Sequence, residues 1–99
     1  VTSYFVTGQD VEKASIQYII DGKQSMTVFK DVRTLVDDAI STSIDYLIGG
    51  TPESTHTYNN GRIEVPANPT TVITVDRNNI QSVLIDSGYY LATDFTGLK

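Results

Sequence analysis

Two charged side chains occupy equivalent places in the first half of the chain, each directly after a predicted strand. Asp10 follows the first strand and precedes the first helix, and Lys30 follows the second strand and precedes the second helix. In open α/β sheets, ligands bind beyond the carboxyl ends of the strands. Neighbouring strands lie about 4.8 Å apart, so we expect both side chains at one edge of the sheet. A carboxylate beside an ammonium suits the vicinal hydroxyls of a sugar, because each hydroxyl both donates and accepts hydrogen bonds.

The same residues also have an ordinary structural explanation. An aspartate before a helix is commonly an N-cap, and a lysine near a strand end is commonly solvated. Spacing alone favours this explanation over a binding site. His56 has no acid or nucleophile at a suggestive spacing, and the oxygen-bearing residues 76–79 lack the spacing of a calcium loop. We therefore expect a protein that is not an enzyme and needs no metal or cofactor.

The elements that position Asp10 and Lys30 are two strand–helix pairs. Val1–Thr7 predicts a strand that is apolar on both faces, as in a buried parallel sheet. Asp10 is the predicted N-cap of the first helix, which Gly22 ends. A short strand over 26–29 precedes a helix over 32–48, where apolar residues recur at i, i+3, i+4 and i+7 after the N-cap Asp31. This order predicts a parallel βαβα sheet with right-handed crossovers.

The second half of the chain is predicted to contain a hairpin and a short helix instead of further strand–helix pairs. Asn59-Asn60-Gly61 separates two β-rich runs and predicts a hairpin. Pro66 and Pro69 argue against a central strand in the segment that follows. A β-branched run over 70–75 and a short helix capped by Asn78 or Asn79 complete the chain, with Gly88 closing that helix.

The amino-acid composition excludes several classes of function. The 99 residues carry a formal net charge of −5, contain no cysteine and include one histidine. These values exclude thiolate chemistry and a multi-histidine metal site, and they argue against nucleic acid as a partner. The chain begins at Val1 and shows no signal peptide, so we expect either a processed chain or a piece of a longer protein.

Four motifs together resemble one family. They are Val6-Thr7-Gly8-Gln9-Asp10, Met26-Thr27-Val28-Phe29-Lys30-Asp31, Thr57-Tyr58-Asn59-Asn60-Gly61 with Pro66, and Ile85-Asp86-Ser87-Gly88-Tyr89-Tyr90. Their order and gaps are similar to those of the sugar-binding proteins of bacterial ABC importers, in the xylose-binding and multiple-sugar-binding group. The resemblance covers nearly the whole chain.

The resemblance implies specific roles for the candidate residues. In that family the aspartate of the Gly-Gln-Asp motif contacts sugar hydroxyls, which implies the same role for Asp10. The polar residue that closes the next strand also contacts sugar, which implies a contact for Lys30. Gln9 lies in the motif and is a weaker candidate, since it can support the loop without touching a ligand.

The resemblance also implies an architecture of two α/β lobes, the type I periplasmic binding protein fold, which closes around sugar by a hinge. Residues 1–65 are expected in the C-terminal lobe, 66–75 in a hinge-crossing segment, and 76–99 in a terminal helix and tail packed on an N-terminal lobe outside this chain. The implied function is extracytoplasmic binding of a xylose-like monosaccharide, in the periplasm or on a surface lipoprotein. The implied partner is an ABC permease or, alternatively, a membrane histidine kinase or chemoreceptor.

Overall fold

The computed structural model describes residues 3–98, which form two compact units. Unit 1 comprises residues 3–29 and 72–98, and unit 2 comprises residues 30–71. The chain therefore leaves unit 1 after Phe29 and returns to it at Val72. The segment 66–75 includes this return point, and its assignment as a hinge crossing stays a prediction.

Unit 1 contains helix α1 (Lys13–Ile20) and two short strands, β1 (Thr27–Phe29) and β4 (Ile73–Val75). The strands pair antiparallel, with Val28 opposite Thr74. A π-helical turn (Gln81–Ile85) and a 3₁₀ turn (Ala92–Asp94) follow β4. Gly22, with φ 78°, stands just after α1 and ends it as predicted.

The predicted parallel βαβα sheet is not confirmed. Among residues 3–98, parallel pairing is limited to a bridge between Thr7 and Met26 with flanking backbone hydrogen bonds, and the regular strands pair antiparallel. The prediction of a buried strand over 1–7 is wrong for the described residues 3–7, because Tyr4 and Phe5 are 73% and 90% exposed. Val1 and Thr2 lie outside the described residues. Among the described residues 3–7, backbone pairing joins Val6 and Thr7 to Ser25 and Met26.

The core of the described chain lies entirely in unit 1. Its buried apolar residues come from the loop before α1, from α1, from both strands and from the segment after β4; they are Val11, Ile16, Ile19, Ile20, Phe29, Val75, Ile80, Leu84 and Phe95. Ile80 and Leu84 are thus covered by unit 1 itself. The packing of residues 76–99 on an N-terminal lobe outside this chain, and the assignment of each segment to a lobe, stay predictions.

Unit 2 contains helix α2 (Val32–Leu47) and the antiparallel hairpin of β2 (His56–Asn59) and β3 (Glu64–Ala67). The periodicity predicted α2 to within one residue at its end. Asp31 is its N-cap as predicted, since its carboxylate accepts a hydrogen bond of 2.9 Å from the Arg33 N–H. The predicted hairpin is confirmed, with Asn59 opposite Glu64. Pro66 lies in β3 at the edge of this two-stranded sheet, where a missing N–H is tolerated.

The apolar stripe of α2 is not covered by the described residues. No residue of α2 is buried, and Leu35, Ile40 and Ile44 are each about half exposed. Among residues 3–98, no helix combines the length and apolar character that crossing a bilayer would require. The apolar residues of α2 recur at helical spacing and form one face of an amphipathic helix.

One buried polar group in unit 1 leads to a stability prediction. Thr27 is fully buried and its hydroxyl has no hydrogen-bond partner among the described residues. We expect Thr27→Val to raise the free energy of unfolding by about 1 kcal/mol, because it removes an unsatisfied polar group and keeps the branched shape. Urea unfolding measures the change, and Thr57→Val in the exposed strand β2 is the matched control. A lower stability for Thr27→Val would show that the hydroxyl is satisfied in solution.

Candidate functional site

The loop that carries Gln9 and Asp10 runs beside β1. The backbone N–H of Gly8 donates to the Met26 carbonyl at 3.0 Å, and that of Asp10 donates to the Val28 carbonyl at 2.9 Å. The two segments that precede Asp10 and Lys30 are therefore neighbours, as the sequence predicted. Both Gln9 and Asp10 are exposed at the end of their segment.

Asp10 is not the N-cap of α1, which corrects the prediction. The N-cap is Glu12, and its side chain makes no capping hydrogen bond. The reason is a backbone feature that the sequence did not indicate. Asp10 and Val11 have φ values of 81° and 47°, and they are the only residues other than glycine with positive φ among residues 3–98. This left-handed pair displaces the start of the helix by two residues.

A left-handed valine is unusual, because its branched Cβ is crowded against the backbone in that region. Such residues cost on the order of 1–3 kcal/mol each and persist only where surrounding contacts determine the conformation. Here the Val11 side chain is 1% exposed, and its carbonyl accepts a hydrogen bond of 2.9 Å from the Tyr90 hydroxyl. Tertiary contacts therefore hold the backbone next to Asp10.

Tyr90 belongs to a row of aromatic rings in unit 1. The ring centroids of Phe29 and Tyr89 are 4.8 Å apart, those of Tyr89 and Tyr90 are 4.9 Å apart, and those of Tyr90 and Phe95 are 5.7 Å apart, all edge to face. The Lys13 ammonium lies 5.4 Å from the Tyr90 ring centroid. Burial raises the pKa of Tyr90, and neighbouring charges add to this effect. At neutral pH its hydroxyl is therefore protonated and able to donate.

Lys30 is the first residue of unit 2 and lies between the end of β1 and the N-cap of α2. Beside it, Asp31 pairs with Arg33 at 2.7 Å. The hydrogen bond from the Arg33 side chain lowers the pKa of the Asp31 carboxyl, so this carboxylate stays ionised over the neutral range. Asp31 is thus engaged in capping α2, while Asp10 and Lys30 belong to different units.

Unit 2 also contains a cavity of about 410 Å³ between α2 and the hairpin, which the sequence did not predict. Leu35, Ala39 and Tyr46 of α2 line one side of it, and Pro66 and Ala67 of β3 line the other. None of the predicted ligand residues lines this cavity. Among residues 3–98 there is also no group of three acidic, histidine or cysteine side chains arranged to hold a metal ion.

The positive φ of Asp10 can be tested by comparing the stability of two variants that both lack the carboxylate. We expect Asp10→Gly to be more stable than Asp10→Ala by about 1 kcal/mol, since alanine pays the steric cost of positive φ and glycine does not. Urea unfolding of both variants measures the difference.

Asp37, within α2, is the matched control. There the order should reverse, with Asp37→Ala more stable than Asp37→Gly by about 1 kcal/mol, because glycine is a poor helix former. The same order at both positions would contradict a left-handed Asp10.

Comparison with known proteins gives a consistent result for nearly the whole chain. The chain is 44% identical over 91 residues to the multiple sugar-binding periplasmic protein SbpA of Azospirillum brasilense, which covers 91% of this chain and 26% of SbpA. It is 35% identical over 85 residues to the D-xylose-binding periplasmic protein of Escherichia coli, covering 86% of this chain and 26% of that protein. The chain thus spans about a quarter of the length of these relatives. No protein-family model matches it.

Solved structures agree with the sequence relatives. A carbohydrate transporter solute-binding protein from Chloroflexus aurantiacus, in complex with D-glucose, is 64% identical and superposes with a TM-score of 0.94 over 100% of this chain and 29% of its own. An ABC transporter solute-binding protein from Clostridium phytofermentans with bound β-D-glucose is 38% identical, with a TM-score of 0.83 over 91% of this chain and 28% of its own. These relatives and structural neighbours are sugar-binding transport proteins and not enzymes. In sequence and in structure, this chain matches a segment of the periplasmic sugar-binding proteins, the family of ABC transporter solute-binding proteins that its four motifs resemble.

Proposed function

We propose that the intact protein is an extracytoplasmic monosaccharide-binding component of an ABC transporter. The observation that carries the proposal is the superposition of this chain on a solute-binding protein that holds D-glucose, at 64% identity and over the full chain. The periplasmic names of the relatives support the location. The protein would act there either free in the periplasm or held at the surface by a lipid anchor.

The proposed ligand is an aldopyranose of the glucose and xylose type. One relative is named for D-xylose and two neighbouring structures hold D-glucose or β-D-glucose. These two sugars share a ring of equatorial hydroxyls and differ by the hydroxymethyl group of glucose. A site that recognises the shared hydroxyls by charged hydrogen bonds would accept both, and its preference would depend on the space beside C5.

Asp10 and Lys30 are the proposed ligand residues of this chain. The Asp10 carboxylate accepts hydrogen bonds from sugar hydroxyls, and the Lys30 ammonium donates to their oxygens. Gln9 is a weaker candidate that supports the loop. Removal of water around these charges when the protein closes strengthens both sets of bonds, and selects against analogues that lack a hydroxyl.

Closure is proposed to use the hinge of a two-lobed protein. The segment 66–75 is the proposed hinge crossing, with residues 1–65 in the C-terminal lobe and residues 76–99 packed on an N-terminal lobe outside this chain. Binding of sugar would then shift the population toward the closed form, which the membrane partner recognises.

The rest of the intact polypeptide is the proposed cover of the apolar face of α2. This face is made of residues at helical spacing, about half exposed or more; they are Val32, Leu35, Val36, Ile40, Ile44 and Leu47. The chain is about a quarter as long as its relatives, so ample sequence remains to bury this face.

A sensory role is the second candidate, because one relative, 43% identical, is named the multiple sugar-binding periplasmic receptor ChvE of Rhizobium radiobacter. In that role the closed form would signal to a membrane histidine kinase or chemoreceptor. Loss of sugar uptake on deletion of the gene supports transport, and loss of a sugar response with normal uptake supports sensing.

Sugar binding is tested by calorimetry on the intact protein with D-glucose and D-xylose. We expect Asp10→Asn and Lys30→Met each to weaken binding by about 2–4 kcal/mol, because the first replaces a charged acceptor with a donor and the second leaves sugar oxygens without their charged donor. Asp37→Asn, on the polar side of α2, is the matched control and should leave the dissociation constant unchanged. Unchanged affinity in both site variants would disprove the assignment of these residues.

The cover of α2 is tested by charging its apolar face. In the chain by itself, we expect the pair Ile40→Lys and Ile44→Lys to reduce self-association measured by sedimentation velocity, since an exposed apolar patch promotes association. In the intact protein the same pair should lower the free energy of unfolding by more than about 2 kcal/mol, because it would bury unpaired charge. Asp37→Lys is the control and should do neither. Unchanged stability of the intact double variant would show that the face is exposed there.

A further inference from the structure

The Asp10–Val11 backbone is held by one side-chain hydrogen bond from a distant part of unit 1. The Tyr90 hydroxyl donates to the Val11 carbonyl at 2.9 Å across 79 positions of sequence. The N–H of Asp10 is held separately by the Val28 carbonyl at 2.9 Å. The loop is thus fixed on one side by β1 and on the other by Tyr90.

The Tyr90 side chain is itself held firmly. Its backbone N–H donates to the Leu84 carbonyl at 2.9 Å, which ties it to the π-helical turn. Its ring packs edge to face against Tyr89 and Phe95, and the Lys13 ammonium lies over its face. A rigid donor of this kind can impose a conformation that the loop would not adopt unaided, because Asp10 and Val11 both lie at positive φ.

We propose that Tyr90 is a positioning residue for sugar binding, which acts by holding the Val11 carbonyl and thereby the orientation of the Asp10 carboxylate. The proposal rests on the proposed function and adds a residue that makes no contact with sugar. Without the hydroxyl, the loop can relax toward negative φ, and Asp10 then points correctly in only a fraction of molecules. The measured affinity falls by that fraction.

The test is a double-mutant cycle on the intact protein, with D-glucose as the titrant in calorimetry. Tyr90→Phe keeps the ring and removes only the donor. We expect it to weaken binding by about 3- to 10-fold, the equivalent of one hydrogen bond. In the Asp10→Asn background we expect Tyr90→Phe to cause less than about a twofold further loss, since the group it positions is already altered.

A purely structural role gives a different pattern. Tyr90→Phe would then weaken binding by the same factor in both backgrounds, and that result would overturn the proposal. Tyr18→Phe, at a half-exposed position of α1, is the matched control and should bind normally. A Tyr90→Phe protein that does not fold would also overturn it, because the hydroxyl would then be required for the fold.

Amide hydrogen exchange without sugar supplies a second readout. In Tyr90→Phe we expect faster exchange of the Asp10 amide, and unchanged exchange in the last turn of α1. Equal exchange in the loop of both proteins would contradict the proposal. The unaltered protein distinguishes the two proposals. If it binds no monosaccharide, both the proposed function and the role of Tyr90 are wrong. If it binds normally and Tyr90→Phe has no effect, only the role of Tyr90 is wrong.

Discussion

The conformation of the loop before α1 depends on contacts made far along the chain. Val11 lies in the left-handed region, which a β-branched residue avoids in a short peptide. Burial of its side chain in the core of unit 1, and the Tyr90 hydrogen bond to its carbonyl, offset that cost. The antiparallel pairing of β1 with β4 brings the C-terminal residues to the position from which they make these contacts. The core of unit 1 is therefore built from residues near both ends of the chain. The conformation of the loop that carries Asp10 depends on contacts between these two parts.

The two units differ in how far they are self-sufficient. Every buried residue of the described chain lies in unit 1, which has a core drawn from five segments. Unit 2 has a well-formed helix and hairpin, yet it buries none of its residues. A chain of this size can bury only a small hydrophobic core. Here all the buried residues lie in unit 1. The apolar face of α2 is left about half exposed by the described residues, and this exposure is the basis for the proposal that further sequence covers it.

The features that the sequence predicted well are those that local interactions determine. The periodicity of α2 and its Asp31 cap are set within a few residues, so both could be located from the pattern alone. The turn at Asn60-Gly61 is local in the same sense, since Asn59 and Asn60 side chains bond the backbone of the loop. By contrast, nothing near Val11 signals its positive φ, because no glycine stands there. The pairing of β1 with β4 joins residues more than 40 positions apart, and hydrophobic patterning does not specify such a partner.

The residue at position 10 has to suit both the positive φ of the backbone and the proposed hydrogen bonding to a ligand. Glycine would adopt the conformation at position 10 at least cost, but it carries no group that can bind a ligand. Aspartate is among the few other residues that tolerate the left-handed region, and under the proposed function it adds a carboxylate that can accept hydrogen bonds from sugar hydroxyls. The remaining cost falls on Val11, whose side chain is buried and whose carbonyl accepts the Tyr90 hydrogen bond. These two contacts account for a strained backbone beside an exposed carboxylate, because such strain persists only where surrounding contacts determine the conformation.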